Sequence, residues 1–313
     1  MTSPAVSRAR PAARQQGWPA PSRRRRQRSL LPWRFLAPSI VILSLITFYP
    51  LGYAVVLSFR SGSFTAPGGW VAGRNYVALA HNSQFIAAVR FSAIFTVAVV
   101  VLSLITGMGF ALAVFRFRRG GWLLRMALLL PWVVPPVVSV LSWRWLIADN
   151  DALVNKLLTA IGLGPVAFLA SPAWATILVI AIRVWRTSPF VFITLLAARL
   201  GVPDELYEAA ALDAATGWRA WWHITMPQLR RVAVISSLLV AVWSFNDFET
   251  IFLLTQGGPA GATYNVVVLA YYQAFFGGNV GLAAAMGVIG LVLLLALSVA
   301  VLRLLGRIEK AEL

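Results

Sequence analysis

Six stretches of this chain are apolar for long enough to cross a lipid bilayer, and that one feature leaves few folds open. They run at about residues 34–58, 89–115, 122–147, 173–199, 232–256 and 280–305. Each has roughly the ~20 residues that a helix needs to span a hydrocarbon core of about 30 Å. No water pairs a backbone N–H or C=O inside lipid, so a spanning segment of this length has to be a helix. The expected class is therefore all-α, a polytopic membrane protein with six transmembrane helices. Composition agrees: 59% hydrophobic and 12% charged residues, with a mean hydropathy of +0.78, leave too little polar surface for a soluble domain. The first stretch, Phe35 to Leu57, is about twice a signal-peptide core and no Ala-x-Ala pattern follows it, so it is expected to stay as a span. With no cysteine in the chain, disulfides, thiolate catalysis and Cys-bound metals are excluded.

The segments between these stretches sort by charge. With the N-terminus in the cytosol, twenty of the 27 basic residues fall on the cytosolic side, nine of them between Arg8 and Arg34. Basic residues hold the cytosolic side of a membrane, so both termini are expected there. Residues 1–29, rich in Arg, Pro and Ala, cannot bury a core and are expected to be a disordered basic tail. The first acid of the chain is Asp149. Beside a span, such a tail suits anionic lipid, and nucleic acid is not expected as a partner. The outer connections, about 59–88, 148–172 and 257–279, hold no domain-sized insertion, which leaves one helical domain over 30–305 and a cytosolic C-terminal tail over 306–313. Prolines at 131, 135, 136 and 189 are expected to interrupt spans three and four. Gly107, Gly109, Ala283, Ala284, Ala285, Gly287 and Gly290 read as sites of close helix packing.

Spans four and five are joined by far more than a tight turn. Between Gly201 and Trp218 lie four acids and no basic residue. Pro203 suits a first helical position, and Asp204 and Glu205 favour the positive end of the helix dipole. The helix expected to start near 203 passes through Glu208 and the alanines at 209–211, 214 and 215, and Gly217 ends it. A second short helix is expected from Trp218 to about Thr225, stopping before Pro227. The outline is a helix-turn-helix, yet its acids repel phosphate and argue against DNA. A thin, acidic, alanine-faced helix reads as a protein-docking knob; a surface helix anchored by interfacial tryptophans is the other reading.

Here the chain resembles a family. Glu208, Ala209, Ala210, Asp213, Trp218, Trp221, Ile224, Met226 and Pro227 look like the EAA loop of permease subunits in binding-protein-dependent ABC importers. Flanking stretches, "RLGVPDELYEAA", "LLTQGGPAGAT" and "GLAAAMG", are similar to the first permease of carbohydrate and glycerol-3-phosphate importers. The resemblance implies a coupling segment over 201–231 whose helix enters a cleft of a cytosolic ATPase, with Glu208, Ala209, Ala210, Asp213, Ala214, Gly217 and Pro227 at the contact. It also implies a second, non-identical permease, an ATPase dimer, an extracytoplasmic binding protein and a place in the cytoplasmic membrane. Ala214 stands where the family usually has glycine, and alanine's better helix propensity, by about 1 kcal/mol, extends the expected first helix to Gly217. No Gly-Lys-Ser/Thr phosphate loop occurs: Lys156 precedes Leu157 and Lys310 precedes Ala311. ATP and Mg are therefore expected on the partner ATPase, with no cofactor or metal in this chain. His81 and His223 fall on opposite sides of the membrane and form no catalytic pair.

Spans four and five also carry charge. Arg183 and Arg186 lie three apart on one, and Asn246, Asp247 and Glu249 on the other. At about 2.5 to 3.5 kcal/mol each on insertion scales, such groups face one another or a cavity rather than lipid. One reading is an interhelical ion pair, with Arg183 and Glu249 as the expected partners. The other makes Arg183, Arg186, Trp243, Asn246, Asp247 and Glu249 the lining of a substrate pathway, with Trp185, Phe245 and Tyr264 offering flat faces to sugar rings. Two arginines suit a phosphate as well as a neutral sugar. Rival functions are a secondary transporter, which would show two related halves, and a membrane-embedded glycosyl-transfer enzyme, which would want an acid cluster with partners at the membrane surface. Neither pattern is present.

Overall fold

The computed structural model describes residues 31–116 and 121–310; the basic tail expected over 1–29 lies outside them. The chain divides into two compact units, Met1–Pro50 and Leu51–Leu313. The first described helix is α1 (Leu31–Ser58). A hairpin follows, β1 (Arg60–Gly62) paired antiparallel with β2 (Pro67–Trp70), Arg60 opposite Trp70 and Gly62 opposite Pro67. This small sheet is a departure from the all-α expectation. Then come α2 (Arg74–Ala80), α3 (Ser83–Arg116), α4 (Gly121–Val133), α5 (Pro136–Ile147), α6 (Leu153–Ala160) and α7 (Pro172–Leu200). The chain continues through α8 (Glu205–Leu212), α9 (Trp218–Ala220), a π-helical turn (Trp221–Thr225), α10 (Met226–Phe245), α11 (Glu249–Leu254), α12 (Val266–Phe275) and α13 (Val280–Lys310).

Among the described residues five helices are long and apolar enough to cross a membrane, and α4 with α5 makes six if the bent pair counts as one span. That pair is bent by 93° at Val134–Pro135. The consecutive prolines explain the break, since each bars helical geometry at the residue before it and removes one N–H. Span four behaves otherwise: α7 runs unbroken through Pro189, so the expected interruption occurs in span three alone. The fifth stretch is also shorter than its hydropathy suggested. Helix α10 stops at Phe245, and Asn246 to Phe248 break the chain before α11. At the far end, α13 carries the helix through Lys310, past the boundary expected at 305.

The core of the Leu51–Leu313 unit lies where α3, α7 and α10 meet. Phe95 and Val99 of α3 pack with Val191, Phe192 and Leu195 of α7 and Leu229 of α10, all buried. Close approach of α3 and α7 depends on Gly107: a Cβ there would lie 2.8 Å from the Val191 Cβ and 2.9 Å from the Phe192 nitrogen. Gly109 has open space around it. Gly107→Leu is therefore expected to force the helices apart at a cost of about 1–3 kcal/mol or more, and Gly109→Leu to leave stability close to wild type. Thermal unfolding of the two variants in detergent checks this; equal melting temperatures would remove the close-packing role of Gly107.

Candidate functional site

The first feature is α8. Its first turn carries Glu205 and Glu208, acids where the dipole favours them, and the helix begins two residues after the expected start at Pro203. Glu208, Ala209 and Asp213 are exposed, and Leu212 at the last turn is 90% exposed. Leu212 thus forms an exposed apolar tip flanked by Glu208 and Asp213. The helix ends at Leu212, not at Gly217 as its alanines suggested. Ala215 N–H donates to Ala210 O (2.8 Å) and Ala214 N–H to Ala211 O (3.1 Å), the paired bonds of a Schellman stop. Ala214 sits at its left-handed position with φ +54°. Two terminal hydrogen bonds outweigh the preference of about 1 kcal/mol by which alanine, relative to glycine, continues a helix. Ala214→Gly is expected to stabilise the stop by roughly 1 kcal/mol, read as slower hydrogen exchange of the α8 amides; faster exchange would sink the argument.

Gly217 also has a positive φ, +57° with ψ −117°, but it opens α9 rather than closing α8. The second helix does not stop before Pro227. It continues through the π-helical turn Trp221–Thr225 into α10, because the wider turn relieves the crowding that a proline ring imposes on the carbonyl four residues back. The second part of the connecting segment and span five are thus one continuous helical rod from Trp218 to Phe245. Trp218 stacks on Trp221 with centroids 4.7 Å apart, and Trp222 meets both edge-on.

A contact that the sequence reading missed ties α8 to the spans. Arg199, in the last turn of α7, places its guanidinium 4.0 Å from the Phe115 ring centroid of α3 and 4.1 Å from that of Tyr207 on α8. Tyr207 and Thr225 share a hydrogen bond of 2.9 Å. Aromatic residues on separate helices carry no joint signal along the chain. Along the sequence Arg199 is distinguished only as one of the twenty basic residues on the cytosolic side.

The second feature is the membrane charge cluster at the break in span five. Arg183 Nε lies 3.4 Å from Asp247 Oδ2, with side chains 12% and 3% exposed. The pairing expected with Glu249 is thus made with Asp247. Asp247 Oδ1 also accepts from Thr250 N–H (3.1 Å), capping α11, and its carbonyl accepts from Asn265 Nδ2 (2.7 Å). Arg186 Nη1 donates to Thr250 Oγ1 at 3.3 Å, and Arg144 Nη1 to the Leu253 carbonyl at 2.9 Å. Three arginines therefore converge on α11 and its N-terminal side. Glu249 and Asn246 are exposed, and Asn246 Nδ2 donates back to the Val242 carbonyl at 3.0 Å. Trp243 is exposed too and meets Phe190 edge-on, centroids 4.9 Å apart. The six expected pathway residues divide accordingly: Arg183 and Asp247 are buried against each other, Arg186 is half-buried, and Trp243, Asn246 and Glu249 face outward. The "LLTQGGPAGAT" stretch is the loop beside this cluster, where the Thr255 and Thr263 hydroxyls share a 2.8 Å hydrogen bond and the Tyr264 ring covers Gly257. Burial, and then Tyr272, push the Tyr264 phenol above its ordinary range, so it is a neutral hydroxyl at physiological pH. Among the described residues no group of three or more His, Cys, Asp or Glu could hold a metal.

Membrane-length helices, a charge pair at a broken span and an exposed acidic helix on the connection between two spans are the features of a multi-pass membrane protein. The chain belongs to the family described as the binding-protein-dependent transport system inner membrane component, which it matches over residues 100–311. It is 30% identical over 272 residues to the trehalose/maltose transport system permease protein of Thermococcus litoralis, covering 86% of this chain and 91% of that one. It is 31% identical over 293 residues to the diacetylchitobiose uptake system permease protein of Streptomyces coelicolor, covering 91% of this chain and 89% of that one. In fold it resembles a chain of a bacterial ABC transporter involved in import of the acidic polysaccharide alginate, with a TM-score of 0.79 at 23% identity over 90% of this chain and 96% of that one. The protein is a permease subunit of an ABC importer in the cytoplasmic membrane.

Proposed function

We propose that this permease carries a sugar or related polyol released by an extracytoplasmic binding protein, as one of two non-identical permease chains above a cytosolic ATPase dimer that binds the ATP and Mg. The observation that carries the coupling half of this reading is α8, whose exposed Leu212 and surrounding acids need a partner surface. Glu208, Ala209, Ala210, Asp213, Ala214 and Gly217 are the contact residues, and Pro227 lies in the first turn of α10, inside the rod that leads from them into the membrane. With α8 in the cytosol, both termini lie there as well, in agreement with the basic residues of the connecting segments. Relatives named for trehalose, maltose, diacetylchitobiose and sulfoquinovosyl glycerol transport support the carbohydrate class.

The substrate pathway runs beside the break in span five, past Arg186, Trp243, Asn246 and Glu249, where polar groups and aromatic faces meet. Arg183 and Asp247 hold that break in shape. Purification of the chain with its accompanying subunits tests the reading. A second permease and an ATPase are expected, with ATP hydrolysis stimulated by the cognate binding protein loaded with the sugar it holds. A functional homodimer of this chain would overturn the two-permease assignment, and a binding protein that holds no carbohydrate would overturn the substrate class.

A further inference from the structure

The clamp around Arg199 leaves something unpaired. The guanidinium carbon lies 4.0 Å from the Phe115 ring centroid and 4.1 Å from that of Tyr207, and ring contacts of this kind leave the N–H donors at the edge of the guanidinium plane free to bond. The residue is only 8% exposed, no hydrogen bond or ion pair to another described residue engages that edge, and its nitrogens are not among the fully buried ones, so the edge opens into the cleft that Arg199 lines. The same residues wall a cleft of about 440 Å³, together with Leu112, Trp218 and Trp221. Trp221 contributes a second orphan donor, an indole N–H that is buried with no acceptor. The Thr225 hydroxyl is already engaged with Tyr207, and no acid lines the cleft.

A cation whose edge opens into the cleft and a buried indole N–H without an acceptor among the described residues suit an anion. The remaining walls are apolar, which calls for a ligand with a hydrocarbon part as well. The place fits: the cleft opens where α3 and α7 end, beside three clustered tryptophans of the kind that settle at the membrane–water boundary. We propose that this cleft binds the phosphate of an anionic phospholipid, with Arg199 and Trp221 as its donors and Leu112, Phe115 and Trp218 against the glycerol and upper acyl chain. On the orientation proposed above, the lipid comes from the cytosolic leaflet. No carboxylate is present to meet the ammonium of a zwitterionic headgroup, so phosphatidylglycerol is preferred to phosphatidylcholine. Tyr207 places the lipid against α8, at the joint between docking helix and spans.

The test is lipid retention by the full chain, purified in detergent with the subunits that accompany it and followed by native mass spectrometry. Phosphatidylglycerol, phosphatidylcholine and inorganic phosphate are the probes. Wild type is expected to keep bound phosphatidylglycerol through washing, to lose phosphatidylcholine, and to be unaffected by inorganic phosphate. Arg199→Gln should weaken retention by roughly tenfold or more, as loss of charged hydrogen bonds implies, and Trp221→Phe by less. Arg307→Gln, an exposed arginine on α13, should change nothing. If Arg199→Gln fails to fold, Trp221→Phe and the wild-type choice among the three probes still decide. Equal retention of the two lipids, unchanged retention in Arg199→Gln and Trp221→Phe, or displacement of the lipid by inorganic phosphate would each overturn the proposal, the last by making the site one for free phosphate.

Discussion

Glu208→Lys is expected to leave the protein inserted in the membrane and to abolish uptake. Glu208 is exposed in the first turn of α8 and no tertiary hydrogen bond or ion pair depends on it, so reversing its charge asks little of the fold. At the proposed contact with an ATPase the same change replaces a favourable charge by a repulsive one. Truncating one partner of a buried interfacial charge pair costs about 2–5 kcal/mol, which is a loss of roughly 30-fold to several thousand-fold in affinity. Copurification of the ATPase and uptake measured side by side separate the possibilities. Gly217→Val is the companion change. A β-branched residue at φ +57°, ψ −117° is strained by about 1–3 kcal/mol, and the strain falls on the turn that sets the angle between α8 and the rod leading into span five. Uptake should fall while membrane insertion is kept. Normal uptake in both variants would remove the coupling role from this segment.

The second large effect concerns the buried pair. Arg183→Gln strands Asp247, and Asp247→Asn strands Arg183, each inside the membrane at a cost of about 3–5 kcal/mol. The Asp247 change has an additional consequence, because an Asn at 247 has to take over the cap on Thr250. The double variant removes both charges together and is expected to be milder than the sum of the two. Glu249→Gln should be nearly silent for stability, since Glu249 is exposed and Arg183 pairs elsewhere. Expression level and thermal unfolding of the four variants measure this; a double variant as unstable as the sum would show that the pair contributes nothing as a pair. Uptake adds a second readout. Arg186→Gln and Glu249→Gln should change transport more than stability if these residues line the pathway, and unchanged transport in both would take them out of it.

The membrane architecture and the presence of a short acidic helix between spans four and five were legible along the chain because both rest on properties that do not need a tertiary context. An apolar run of membrane length has to be a helix wherever it packs, and Asp204, Glu205 and the following alanines favour a helix start whatever lies beside it. The positive φ of Gly217 was legible for the same reason, since glycine is the residue that adopts it at least cost, but its place at the start of α9 rather than the end of α8 was not. Three other features depended on neighbours distant in sequence. Prolines mark where a helix is weakened, but Pro189 stays inside α7 because that helix is packed along its length against α3 and α10, while consecutive prolines at 135 and 136 break the third span outright. Asp247 and Glu249 lie two residues apart and both were within reach of Arg183; the turn after Phe245 put Asp247 inside and Glu249 outside.

What the sequence by itself determined is therefore the class of fold, the location of the acidic helix between spans four and five and the identity of the charged residues in the membrane. Tertiary structure alone decided which charges meet, where α8 ends and that Arg199 is held between Phe115 and Tyr207. The reason is one of scale. Helix propensity and local capping differ by about 1 kcal/mol between competing local structures, whereas a buried charge left alone costs several times that, so contacts between distant segments overrule the local preference wherever the two disagree.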